Sequence, residues 1–224
     1  MPEKRPPPRR KSRRRKPLQA RAQATVAAIL AAAAQFLARA GWAGFTTNAV
    51  AARAGVSIGS LYEYFPDKQA IADALVNGHL DRGEALIAAQ AAHLDGPSVA
   101  PPDLVGALVQ GFVALHADDP RLHRVLSAEV PLSPAVRRRV EALNQAIVAA
   151  VATALGGRVT DPHRVARLMT DAADALTHRW IVDAGGTPLD HTALAAELNV
   201  MLSAYLALRV RPPSDQAAFS ATGW

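Results

Sequence analysis

With 224 residues, half of them apolar, the chain can bury one small core and one larger one, which excludes a wholly disordered protein. Its formal charge of +6 is uneven: ten Lys and Arg against the single acid Glu3 precede Ala22, whereas fifteen basic and eighteen acidic residues follow, so the basic character belongs to an N-terminal arm. The lack of cysteine excludes disulfides, thiolate metal sites and cysteine nucleophiles.

In the arm, 1–19, the cations from Lys4 to Lys16 interleave with Pro2, Pro6, Pro7, Pro8 and Pro17. Self-repulsion and missing amide donors predict disorder there. Such an arm can neutralise phosphates or enter a minor groove, or it can be a solvated tail. The run from Val26 to Ala34 then imitates the apolar region of a secretory signal. Gln35 and Arg39 interrupt it, however, and Val26, Ile29, Leu30, Ala33, Phe36 and Leu37 form a stripe at helical spacing. The pattern predicts a helix over 20–40 closed by Gly41. The apolar run is too short to span a bilayer, and no other run in the sequence reads as long enough.

A short helix over 47–54 follows, capped by Thr46 or Thr47 and ended by Gly55; Val56 and Ser57 lead into another over 58–64. Pro66-Asp67 breaks the pattern, and Lys68 opens a long helix to about residue 92. Beyond a loop at 95–102, Pro, Gly and Asp punctuation predicts helices over 103–117, 121–129, 134–155, 162–183 and 189–208, with a frayed tail from 212. Val136, Val140, Leu143, Ile147, Val151 and Leu155 define one buried face of the third of these. Nothing reads as a strand. The expected class is all-α, divided into the arm, a DNA-binding domain at 20–67, a ligand-binding and dimerisation domain at 68–211, and the tail.

Two helices of about seven residues joined through Ala54-Gly55-Val56-Ser57 make a helix-turn-helix pattern, whose second helix can lie in the major groove of DNA. Ala51 and Ala54 are small enough for a close crossing, Gly55 supplies a positive φ, Val56 and Leu61 fill the shared core, and Ser57 caps the reading helix. Ile58 can press on a thymine methyl, Gly59 admits a close backbone approach, and Ser60 can bond a base or a phosphate. Tyr62, Tyr64 and Lys68 suit phosphates better, although Tyr64 can also pack against the first helix.

Other patterns lead elsewhere and fail on context. Gly55-Val56-Ser57-Ile58-Gly59 spells the G-x-S-x-G nucleophile elbow, but an Ala-rich helix precedes it where that chemistry needs a strand. Asp174 and His178, four apart on one helix, could share a metal or form an acid-base pair, yet no third ligand is evident in the sequence. No catalytic residue, metal or cofactor is therefore expected. Arg137-Arg138-Arg139 point in different directions on a helix and read as a solvated face, or as a contact for an acidic ligand.

The combination Leu61-Tyr62-x-Tyr64-Phe65-x-x-Lys68 behind Ala54-Gly55-Val56-Ser57 resembles the DNA-binding domain of the tetracycline-repressor (TetR) family, over roughly residues 20–75. The resemblance implies that Thr47 and Tyr62 hold phosphates, that Lys68 anchors the start of the fourth helix to the DNA backbone, and that Asn48 and residues 58–60 influence sequence choice, with Thr46 at the edge of the same site. It implies a homodimer on a palindromic operator, with the last two helices pairing across a two-fold axis. Val165, Leu168, Met169, Ala172, Ala175 and Leu176 on one, and Leu194, Leu198, Met201, Leu202 and Tyr205 on the other, could serve that contact or the chain's own core. It further implies a cavity in the middle helices for a small-molecule effector, with His116, His123, Asn144, Asp174, His178 and Trp180 as candidate polar anchors. The mostly aliphatic surroundings favour a moderately apolar ligand. The expectation is a ligand-responsive, cytoplasmic repressor that is not an enzyme and makes no membrane contact. The alternative is a helical ligand-binding or enzymatic domain that binds nucleic acid nonspecifically through its basic arm.

Overall fold

Residues 15–94, 101–182 and 190–211 are described by a computed structural model of the chain, and within them every regular element is a helix apart from one isolated Val159–Val210 bridge. The basic arm as far as residue 14, the loop at 95–100, the junction at 183–189 and the tail from 212 lie outside the described residues. The helices are α1 (Arg15–Gly44), α2 (Thr47–Ala54), α3 (Ile58–Tyr64), α4 (Lys68–Leu94), α5 (Pro101–Ala117), α6 (Pro120–Ala128), α7 (Pro134–Leu155), α8 (Pro162–Thr177) and α9 (His191–Ala207). The chain forms two compact units, one up to Ala72 and one from Asp73, so the division falls inside α4.

In the first unit α1 begins five residues before the expected helix and takes in residues 15–19, assigned from sequence to a disordered arm. Pro17 is no obstacle there, because the first turn of a helix has no intrahelical partner for its amide protons. Gly41 breaks α1 with φ 66° and ψ −178°, an extended positive-φ conformation rather than the left-handed helical one, and a last helical turn follows. The stripe that mimicked a signal packs inward: Ile29, Ala33 and Leu37 are fully buried, with Phe45, Val50, Leu61 and Ile71 completing the core. Phe45 stacks on Trp42 and meets Phe36 edge-on. Truncating a side chain as enclosed as Leu61 to Ala costs about 2–5 kcal/mol, through lost transfer energy and the cavity left behind.

The second unit is built on α5, α7, α8 and α9. Its core joins Val105, Val109, Val151, Leu155, Ala166, Met169, Leu198 and Leu206. Side-chain caps set the starts of its helices: Asp119 for α6, Ser133 for α7, Asp161 for α8 and Asp190 for α9 each accept a backbone N–H of the first turn. The buried face of α7 holds Val136, Leu143, Val151 and Leu155 as expected and adds Val148 and Ala152, while Val140 and Ile147 are half-buried. Arg137 and Arg138 are exposed, and the partly exposed Arg139 reaches across to Asp81, Glu84 and the Asn77 side chain, tying α7 to α4. At Thr177 α8 gives way to a π-helical turn, His178–Val182, where a continuous helix was expected.

Two helices, Gln19–Gly44 and Pro134–Arg158, are long and apolar enough to cross a membrane. This corrects the expectation that no segment reaches that length. The apolar content comes largely from alanine, and several of the larger side chains, among them Ile29, Leu37, Val151 and Leu155, are buried in their own units while others, such as Leu30 and Ile147, are half-buried.

Candidate nucleic-acid interface and apolar cavity

The reading unit is fixed by three local devices. Thr46 stands at the N-cap of α2, its Oγ1 accepting the Ala49 N–H at 3.3 Å. Gly55 closes α2 in the left-handed region, φ 69° and ψ 28°, where a Cβ would be strained. Ser57 caps α3, its Oγ accepting the Ser60 N–H at 3.0 Å, so its hydroxyl serves the helix start and not a nucleophile elbow. The Ser57 hydroxyl also donates to Ser60 Oγ at 2.9 Å, which leaves the Ser60 proton to be given to a base or a phosphate.

Around this frame the structure exposes most of the residues assigned to DNA. Asn48, Ser57, Ile58, Gly59, Tyr62 and Tyr64 are exposed, with Tyr62 at 50% and Tyr64 at 37%, whereas Thr47, Ser60 and Lys68 are half-buried. Leu61 faces the core from the opposite side of α3. An added Cβ on Gly59 would find its nearest neighbour, Ser57 Oγ, at 3.8 Å, so packing within the chain does not demand glycine there. The Thr47 and Tyr62 hydroxyls meet at 3.0 Å. The Lys68 ammonium sits 4.2 Å from the centre of the Trp42 ring, a cation–π contact that holds it in place without neutralising it.

In the second unit α4, α5 and α7 line a half-open cavity of about 320 Å³. Its wall is aliphatic and aromatic, including Leu86, Leu108, Phe112, Ile147 and Val151, and Thr153 is the one polar side chain lining it among the described residues. Two glycines shape it. A Cβ on Gly111 would meet nothing within 4 Å, whereas one on Gly83 would press on Leu143 at 3.3 Å.

None of the six anchors expected from sequence lines this cavity. Asn144 is exposed on α7 and Trp180 is 40% exposed in the π turn. The other four converge on one another instead. His116, on α5, is buried; its Nδ1 lies 2.7 Å from the Phe112 carbonyl and its Nε2 lies 3.6 Å from Asp174 Oδ1. The Nε2 atoms of His123, on α6, and His178 are 3.0 Å apart. His79 of α4, which sequence reasoning missed, lies edge-on to His123 with ring centres 4.6 Å apart. Burial holds three of them, His79, His116 and His123, towards the neutral form: the pKa of His79 falls to about 4 by desolvation and then the Arg82 charge, and that of His123 to about 2 by desolvation and then His116. His116 is also lowered, desolvation outweighing the Phe112 hydrogen bond and the Asp174 charge.

Comparison with known proteins bears on both units. Residues 29–75 match the family described as bacterial regulatory proteins, tetR family, and residues 101–206 match the tetracyclin repressor-like C-terminal domain. No curated protein matches the chain by sequence. Among solved structures, a TetR-family transcriptional regulator from Mesorhizobium loti superposes with a TM-score of 0.69 at 18% identity, over 85% of this chain and 99% of that one. A bacterial regulatory protein of the tetR family from Rhodococcus is 26% identical, with a TM-score of 0.58 over 80% and 95% of the two chains. NalD of Pseudomonas aeruginosa, described as the secondary repressor of a multidrug efflux pump, is 17% identical, with a TM-score of 0.64 over 86% and 99%.

Proposed function

The chain belongs to the tetracycline-repressor family of transcriptional regulators, and on that premise we propose that it is a homodimeric, cytoplasmic repressor released from a palindromic operator by a small apolar effector. The observation that carries this reading is the capped α2–α3 pair, which buries Leu61 while leaving Ile58, Gly59 and Tyr62 on an open face. Ile58–Ser60 and Asn48 choose sequence in this proposal. Thr47, Tyr62 and Lys68 hold phosphates, and Thr46 and Ser57 set the helices that present them.

Dimerisation follows from the limits of one reading helix, which contacts only a few base pairs, so useful specificity needs two copies about 34–36 Å apart. Apolar side chains left exposed support a contact through the last two helices: Leu168 on α8 is 51% exposed, and Val200 and Met201 on α9 are 69% and 42% exposed. Val165, Met169, Leu194, Leu198 and Leu202 are committed to the chain's own core.

The cavity supports a moderately apolar effector of modest size, because a ligand there gains from burial and finds few polar groups to satisfy. Effector binding would favour a dimer whose reading heads no longer match the operator repeat.

The test is a footprint of the full chain on the DNA upstream of its own gene. A sequence-selective footprint that survives raised salt is expected, and protection that is uniform and lost with salt would overturn the reading. Deleting residues 1–19 should weaken binding on all sequences and keep the preference. If the preference disappears too, the arm and not α3 carries recognition.

A further inference from the structure

We propose that His116, His123 and His178, completed by Asp174, form a site for a divalent transition-metal ion, Zn2+ foremost, in the second unit. The donor atoms of the three histidines lie within 4.8 Å of one another, and Asp174 Oδ1 is 3.6 Å from His116 Nε2. Two ligands of a tetrahedral ion bound at about 2.1 Å stand about 3.4 Å apart. The His123–His178 separation of 3.0 Å and the His116–Asp174 separation bracket that value, and side-chain rotations that draw in the more distant pairs, up to 4.8 Å apart among the histidines, would close the site.

The arrangement of protons points the same way. The Phe112 carbonyl can only accept, so the 2.7 Å contact fixes a proton on His116 Nδ1 and leaves Nε2 as the nitrogen turned towards Asp174. A metal-binding histidine is commonly oriented in this manner, one nitrogen donating to a carbonyl while the other faces the ion. Nε2 stands 3.6 Å from a carboxylate oxygen, a separation that an ion bound to both would span. His178 also opens the π-helical turn, a rare geometry found frequently at functional sites. Three imidazoles and one carboxylate suit Zn2+ in a tetrahedral set, and the same nitrogens would take Co2+ as a spectroscopic substitute.

The cluster lies one helical turn beyond the apolar cavity on two helices at once: His79 precedes Gly83 on α4, and His116 follows Phe112 on α5. The proposal stands apart from the regulator reading, since no DNA enters its test. A chain that binds operator but not metal, or metal but not operator, separates the two.

The experiment titrates the tag-free, chelator-stripped full chain with Co2+ and then displaces it with Zn2+. One ion per chain, with the intense visible bands of a tetrahedral site, is expected. His123→Gln and His178→Gln should each weaken binding at least about 100-fold, more than loss of an outer-shell partner would. Asp174→Asn should weaken it less, and His163→Gln and His191→Gln, exposed histidines elsewhere, should leave it unchanged. Should the cluster variants unfold, nitrogen-15 NMR of the wild-type imidazoles decides: Zn2+ must shift His116, His123 and His178 together. Binding unaltered by the cluster substitutions, weak octahedral bands alone, or Zn2+ shifts confined to other histidines would each overturn the site.

Discussion

The Thr47 and Tyr62 hydroxyls, fifteen residues apart in sequence, meet at 3.0 Å and join α2 to α3 on the side of the pair turned to solvent. Each can donate to the other or outwards, so one proton of the two remains for a phosphate oxygen while the pair holds its own geometry. Tyr62→Phe should then weaken binding about 5- to 15-fold, the worth of one hydrogen bond, by a similar factor on operator and on unrelated DNA. Adding Thr47→Val should cost less than its effect alone, because the two share an interaction. A change in sequence preference, read by competition among operator variants, would contradict this assignment.

Gly59 separates folding from recognition. Its neighbours leave room for a methyl group, and alanine in place of glycine within a helix gains up to about 1 kcal/mol. Gly59→Ala should therefore raise Tm slightly while weakening operator binding tenfold or more, if the backbone of α3 approaches the groove as proposed. Unchanged affinity would place the DNA elsewhere on α3.

Lys68 over the Trp42 ring is a cation positioned in advance, so its contribution is electrostatic and salt-dependent. Lys68→Gln should lower the slope of log affinity against log salt by about 0.9 for each protomer bound, with sequence preference preserved. Trp42→Leu, which keeps the charge but removes its seat, should weaken binding with the slope retained.

What could be read in the sequence was local. Thr46, Gly55, Ser57, Ser133 and Pro162 each mark a helix boundary through a bond or dihedral made within four residues, and the boundaries of α2, α3 and α7 fall where those residues place them. Pro17 misled because its cost depends on where the helix begins. The histidine cluster was beyond the same reasoning: Asp174 and His178 stood out by their spacing, but His116, His123 and His79 come from three other helices, and only packing brings them together. The π turn at His178 is likewise decided by tertiary context. The candidate anchors were chosen as polar residues near a cavity whose wall proved to be almost wholly apolar.

Gly111 offers a way to close that cavity without disturbing its frame. It lies in the cavity wall on α5, and a Cβ there would project into open space, so a larger side chain displaces void rather than neighbours. Gly111→Leu combines better helix propensity with burial of apolar surface, each worth on the order of 1 kcal/mol, and should raise Tm by several degrees. An apolar fluorescent probe that binds the wild type should no longer bind. Effectors should lose their power to change operator affinity, because the substituted side chain takes the space they would occupy. A Gly111→Leu protein that still responds to effector would place the sensing site outside this cavity. One that loses operator binding while remaining folded would show that filling the cavity mimics the effector, which favours the released state by the same occupancy.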